Sequence, residues 1–227
     1  DRIPFIQLGL FGNPTIRVGF LIAIVSYMSA FSTQIVLPLF LRSEMGLEPA
    51  VAGLLLVGYP LSLIVSAPIS GDLSDKFGST RIMMLGLGLM TAALTAFSFI
   101  SEHSSTVFVM AFVLLLGSSM GMITSPNNNL IMGNADKELM SFVGSMIALS
   151  RNIGMMLGSV LGSTLINIGT RGSWPGIRWL RLDPVLFGYR SVFIAAAVCV
   201  AVAGASQYRL ARKRIKQRTL SADQGAP

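Results

Sequence analysis

Residues 71–81, GDLSDKFGSTR, gather Asp72, Asp75, Lys76 and Arg81 between two stretches, 49–71 and 82–100, in which the apolar runs hold no charge. Charges crowded among glycines and small residues do electrostatic work at a tight link between antiparallel helices. Asp75 suits a helix N-terminus or a guanidinium. Lys76 and Arg81 would hold the link at a membrane surface, and Gly71 and Gly78 would permit close approach and φ > 0. A second candidate is Arg151 in ALSRNIGMM, the one charged side chain deep in apolar sequence. A charge there is costly unless it faces a cavity or a partner. It either lines a central cavity, with Asn152 beside it, or lies nearer the interface and reaches out along its alkyl stem. A third candidate is SPNNN (125–129). Pro126 frees a backbone carbonyl. Asn127, Asn128 and Asn129 fan around a helix, so they cannot all face one cavity; some either contact a substrate or bond between helices. Tyr27 and Gln34 are seven residues apart in a stretch rich in Ser and Thr, hence on one helix face and also cavity candidates.

The elements that must carry these residues are membrane spans. The chain has 227 residues, of which 52% are hydrophobic and only 12% charged, against about 25% charged in soluble domains. Uncharged runs occupy 18–41, 49–71, 82–100, 104–135, 152–170 and 191–208. A spanning helix needs about 20 apolar residues. Six helices are therefore expected, at about 17–41, 50–70, 82–100, 106–132, 138–168 and 188–208, in an all-α membrane protein. A lead-in at 1–16 and a basic tail at 209–227 flank them. The short alternating segments of a membrane β-barrel are missing. No acid lies within the six runs, so a proton-coupled mechanism would draw its titratable carboxylates from elsewhere.

Gly154, Gly158 and Gly162 form two successive G-x-x-x-G steps, and Gly117 and Gly121 form another. Such spacing lets helix backbones approach closely. The Met residues, thirteen in all, suit either an adaptable ligand surface or lipid-facing filler. Trp174 and Trp179 with nearby Arg fit an interfacial segment in 171–190.

With the N-terminus inside, Arg2, Arg17, Lys76, Arg81, Lys137 and the run RLARKRIKQR (209–218) fall on the inner side. Arg42, Arg171, Arg178, Arg181 and Arg190 fall outside. The excess within places both termini and the 71–81 link in the cytoplasm. The net charge of +7 is thus a membrane flank rather than a nucleic-acid surface. Cys199 lies in an apolar run and His103 in a short loop. There is no metal-ligand spacing, phosphate loop or nucleophile–base pair, so neither cofactor nor enzyme is expected. The sequence opens on Asp1 without a signal-peptide pattern, as if cut from a longer chain.

The link resembles motif A of the major facilitator superfamily, roughly G-x-L-a-D-r-x-G-r-r-r. Gly71, Leu73, Asp75, Gly78 and Arg81 match, Lys76 replaces the usual Arg, and Ser79 and Thr80 depart from the pattern. The family places this motif after the second helix of a six-helix half, on the cytoplasmic side, where it acts as a latch. LGLFGNPTIRVGF, LPLFLRSEMGLEPAVAGLLLVGYP and SPNNNLIMGNADKELMSFVGSMIALSRNIGMMLGSVLG resemble the C-terminal half of fourteen-span drug:proton antiporters of the EmrB/QacA type. The resemblance implies two inverted three-helix repeats, a small-molecule substrate, a lipid bilayer as surroundings, and either an N-terminal half or a second copy as partner. It also implies efflux from the cell membrane, or transport of another substrate such as a sugar, metabolite or siderophore. A membrane protein that does not transport is the contrasting reading.

Overall fold

A computed structural model describes residues 12–101, 104–170 and 184–223, with side chains described to 169 in the second segment and for 186–212 in the third. The expectations for the lead-in (residues 1–11), for His103, and for Trp174 and Trp179 lie outside the described residues. The described chain is helical throughout: α1 (Pro14–Ser43), α2 (Pro49–Phe77), α3 (Ser79–Phe97), α4 (Thr106–Gly133), a 3-10 turn (Lys137–Leu139), α5 (Met140–Thr170) and α6 (Pro184–Asp223). Six of these helices are long and apolar enough to cross a membrane.

Their ends follow local chemistry. Asn13 caps α1, its side-chain oxygen accepting from the Thr15 amide at 3.0 Å, and Pro14 follows where no amide is needed. Pro49 opens α2 in the same way, and Ser105 caps α4 by accepting from the Val107 amide. Pro38, Pro60, Pro68 and Pro126 lie inside helices, as membrane helices allow when neighbours satisfy the freed carbonyls.

Two expectations are corrected. The link at 71–81 is not a loop of that length: α2 runs on through Phe77, and Gly78 alone separates it from α3. The four charges mark where the helices leave the apolar layer, not where they end. Gly71 is accordingly helical, and only Gly78, at φ +92°, uses the freedom expected of both glycines. The 209–227 tail likewise begins as a continuation of α6, which carries on to Asp223.

α1 and α4 touch at the centre. α5 packs along α1 and α2 along α4, while α3 and α6 close the back. Exchanging α1 with α4, α2 with α5 and α3 with α6 leaves this pairing pattern unchanged. Successive spans alternate in direction, so the two three-helix units are inverted repeats. The core follows the pattern: Phe97 packs edge-on against Phe193 with ring centroids 5.0 Å apart, and Phe40 against Tyr189 at 5.3 Å. A smaller cluster of Ile16, Phe20, Ile131, Val143 and Ile147 ties α1, α4 and α5 together.

Candidate functional site

Arg151 stands about 16 Å into α5, and Tyr27 about 20 Å into α1. The two helices are locked at this level by glycine. A Cβ at Gly154 would come within 2.5 Å of the Ile24 carbonyl, and one at Gly158 would overlap that of Met28. Close approach brings the Arg151 guanidinium carbon 5.6 Å from the Tyr27 ring centroid, a cation–π contact. α4 supplies the third wall. Asn127 is buried and donates through Nδ2 to the Gly19 carbonyl at 3.0 Å.

Ser26, Tyr27, Thr124, Asn127, Asn128 and Arg151 line one cavity, with Ala23, Met120, Ile123 and Ile147 as its apolar part. Its enclosed space is about 10 Å³, room for about one water. Two polar atoms at this cavity are buried without a hydrogen-bond partner among the described residues: Ser26 Oγ and Asn127 Oδ1. Buried polar groups are usually satisfied, so these two are poised for a water or a ligand. The guanidinium belongs to an exposed residue, and the cavity therefore opens beside it. The arrangement can hold a small polar group. It offers no nucleophile with a base, and among the described residues no group of three or more His, Cys, Asp or Glu could hold a metal.

Of the cavity candidates read from the sequence, Tyr27, Asn127, Asn128 and Arg151 come together. Gln34 lies about two turns further along α1 and is half-buried, while Asn129 and Asn152 are exposed; none of the three lines the cavity. The Asn run divides as its helical fan requires, with 127 buried, 128 at the cavity and 129 outside. Ser26 belongs to the same polar stretch as Tyr27 and Gln34, but nothing in its local sequence separates it from Ser29 and Ser32 nearby.

At the link, Asp72, Asp75, Lys76 and Arg81 are exposed and Leu73 is half-buried. Asp75 lies on the last turn of α2, and α3 has Gly78 at its N-cap and so no side-chain cap. The expected bond from a helix N-terminus to Asp75 is therefore not made. The link is held instead by the Gly78 amide donating to the Ser74 carbonyl at 2.9 Å and by Ser79 Oγ donating to Ser74 Oγ at 3.4 Å.

The other glycines pack helices. Gly162 sits against Val36 and Ser32 of α1. Gly117 and Gly121 leave no room for a Cβ beside Ser62 and Ser66 of α2. Opposite them runs a row outside the G-x-x-x-G pattern: Gly58, Ser62, Ser66, Ser70 and Ser74, one every fourth residue. Ser62, Ser66 and Ser70 bond back to the carbonyls of Tyr59, Leu63 and Ala67, and Ser70 Oγ also donates to the Gly121 carbonyl across the interface at 2.9 Å. The four-residue spacing of small side chains was the available signal.

Inverted three-helix repeats around a polar cavity on the first helix of each repeat define one class of multi-pass membrane protein. The Major Facilitator Superfamily model matches residues 19–225, and the chain belongs to that family. It is 30% identical over 160 residues to the riboflavin transporter RibZ of Clostridioides difficile, covering 70% of this chain and 35% of that protein. It is 30% identical over 129 residues to the lincomycin resistance protein LmrB of Listeria monocytogenes, covering 56% and 27%. The multidrug resistance protein Stp of Mycobacterium tuberculosis is 24% identical over 163 residues, covering 71% and 30%. The chain thus spans about a third of the length of the curated relatives it matches.

Proposed function

We propose that this chain is the C-terminal six-helix half of a secondary transporter, of the fourteen-span EmrB/QacA type, that exports small organic molecules by alternating access. The observation that carries the reading is the cavity where Arg151 meets Tyr27, Asn127 and Asn128 within the span. A charged residue at that depth, facing a cavity, marks a substrate pathway. Two bundles rocking about a site near the membrane midplane is the working scheme for such folds, and the other bundle belongs to the rest of the protein. Relatives named for lincomycin and multidrug resistance support drug export. One named for riboflavin supports a metabolite as the alternative.

In this reading the termini and the 71–81 link face the cytoplasm of a bacterial inner membrane. The link latches that side, and proton coupling uses carboxylates of the other half. The only acids in α2 are Asp72 and Asp75, both exposed in its final turns. Inverted vesicles containing the full-length transporter test the proposal. Energised vesicles are expected to accumulate a fluorescent drug analogue or a labelled metabolite such as riboflavin, and to release it when a protonophore collapses the gradient. Accumulation unaffected by the protonophore would remove proton coupling. No accumulation of any compound would favour the non-transporting reading.

A further inference from the structure

Resting on that transport reading of the same cavity, we propose that Arg151 forms an anion subsite, so that the cavity takes organic molecules bearing a carboxylate, phosphate or sulfonate rather than cations. Among the described residues Arg151 is the only charged one lining the cavity. Its guanidinium carbon lies 5.6 Å from the Tyr27 ring centroid, and a cation–π contact leaves the N–H donors along the guanidinium edge uncommitted. That edge matches the paired oxygens of an anionic group.

The neighbours extend the match. Ser26 Oγ, buried and unpaired, can donate a hydrogen bond, and the Asn128 amide lines the same wall. Asn127 Oδ1 is a spare acceptor whose amide nitrogen is already committed to the Gly19 carbonyl. It suits a hydroxyl or N–H on the ligand body. The complementary molecule therefore carries an anionic group at the α5 side and a hydrogen-bond donor between α1 and α4. The enclosed space holds about one water and the guanidinium belongs to an exposed residue at its edge, so the anionic group meets the cavity and the rest of the molecule lies outside it. A cation placed there meets a like charge instead.

The test uses two dyes that share a xanthene ring, anionic fluorescein and cationic rhodamine 6G. Binding to the full-length transporter in nanodiscs is followed by fluorescence anisotropy. The unaltered protein is expected to bind fluorescein at least tenfold more tightly than rhodamine 6G. Arg151→Gln is expected to weaken fluorescein at least tenfold while leaving rhodamine 6G unchanged or tighter, and Arg151→Lys to keep most of the fluorescein affinity. Equal or tighter rhodamine 6G binding by the unaltered protein overturns the proposal, as does the absence of fluorescein binding. That comparison needs no variant to fold. Loss of both dyes together in an Arg151→Gln variant that still elutes as folded protein also overturns it. A dye preference that persists without gradient-driven transport would sink the transport reading alone. Transport without the preference would sink the anion subsite alone.

Discussion

Asn127 shows how one side chain can serve both architecture and site. Its amide nitrogen ties α4 to α1 at the Gly19 carbonyl, across 108 residues of sequence. A Cβ at Gly19 would come within 3.3 Å of Asn127 Oδ1 and 2.5 Å of Ile131 Cγ1, so glycine is what admits the bond. Interhelical hydrogen bonds in membranes are worth about 0.6 kcal/mol on average. Asn127→Ala is therefore expected to cost about 1 kcal/mol or less in thermal unfolding of the full-length transporter, while changing its ligand affinities more; a large loss of stability with unchanged binding would make the residue purely structural. Gly78 poses the opposite case. Its φ of +92° and ψ of 130° lie outside even the left-handed helical region that Asn tolerates. Nothing lies within 4 Å of a Cβ built there, so the cost of substitution is backbone strain alone, about 1–3 kcal/mol. Gly78→Ala and Gly78→Asn are both expected to lower the unfolding temperature, with Asn giving no rescue. Gly46, at φ +61°, is expected to accept Asn with a smaller loss. The sequence pointed to Gly71 and Gly78 alike; that Gly78 alone takes the positive φ was not legible, because it follows from α2 running on to Phe77. The cavity was legible only in part, because Tyr27, Asn127 and Arg151 become neighbours only once α1 pairs with both α4 and α5.

At the scale of elements, the helices pair where small residues remove side-chain bulk. In α1·α5 the glycines lie on α5; in α2·α4 they lie on α4 and face the serine row of α2. Lipid is as apolar as leucine, so apolar burial alone does not drive helices together in a membrane, and close backbone packing decides the pairing. Gly158→Leu should accordingly disrupt α1·α5, because its Cβ would overlap the Met28 carbonyl and come within 3.0 Å of the Ser32 amide nitrogen. Gly144→Leu is the control on the same helix, with nothing within 4 Å of its Cβ. The first variant is expected to abolish folded full-length protein in size-exclusion chromatography, and the second to leave its yield near that of the parent. Equal yields would mean that the α5 glycines are not what sets this contact. The six spans were readable because charge is excluded from apolar runs of sufficient length. The ends of α2 and α6 were not, since a helix carries on into water wherever its residues still favour it.

Over the whole molecule, burial is uneven in a way that the repeat symmetry explains. Only 17% of the most apolar stretch of α2 and 22% of that of α5 are buried, against 44% to 56% in the other four helices. These two helices exchange places under the repeat symmetry, so their bare faces are equivalent surfaces. Each is apolar, with Leu54, Leu61 and Ile64 exposed on α2 and Met156, Leu157 and Val160 on α5. α3 and α6 also expose apolar side chains, Leu85 and Val198 among them, but they lie at the back of the bundle. If the remainder of the transporter closes over the cavity, it must reach α2 and α5, which flank α1 and α4, and leave α3 and α6 to lipid. Spin labels placed singly at Ile64, Met156, Leu85 and Val198 of the full-length protein, with Cys199→Ser as background, separate the two surfaces. Exposures of 66%, 70%, 58% and 56% in this chain give all four a similar starting point. Collision rates with oxygen, which concentrates in the bilayer, are expected to stay high at Leu85 and Val198 and to fall several-fold at Ile64 and Met156. Four equally high rates would mean that α2 and α5 face lipid, and that alternating access between two halves meeting along them is the wrong description of this protein.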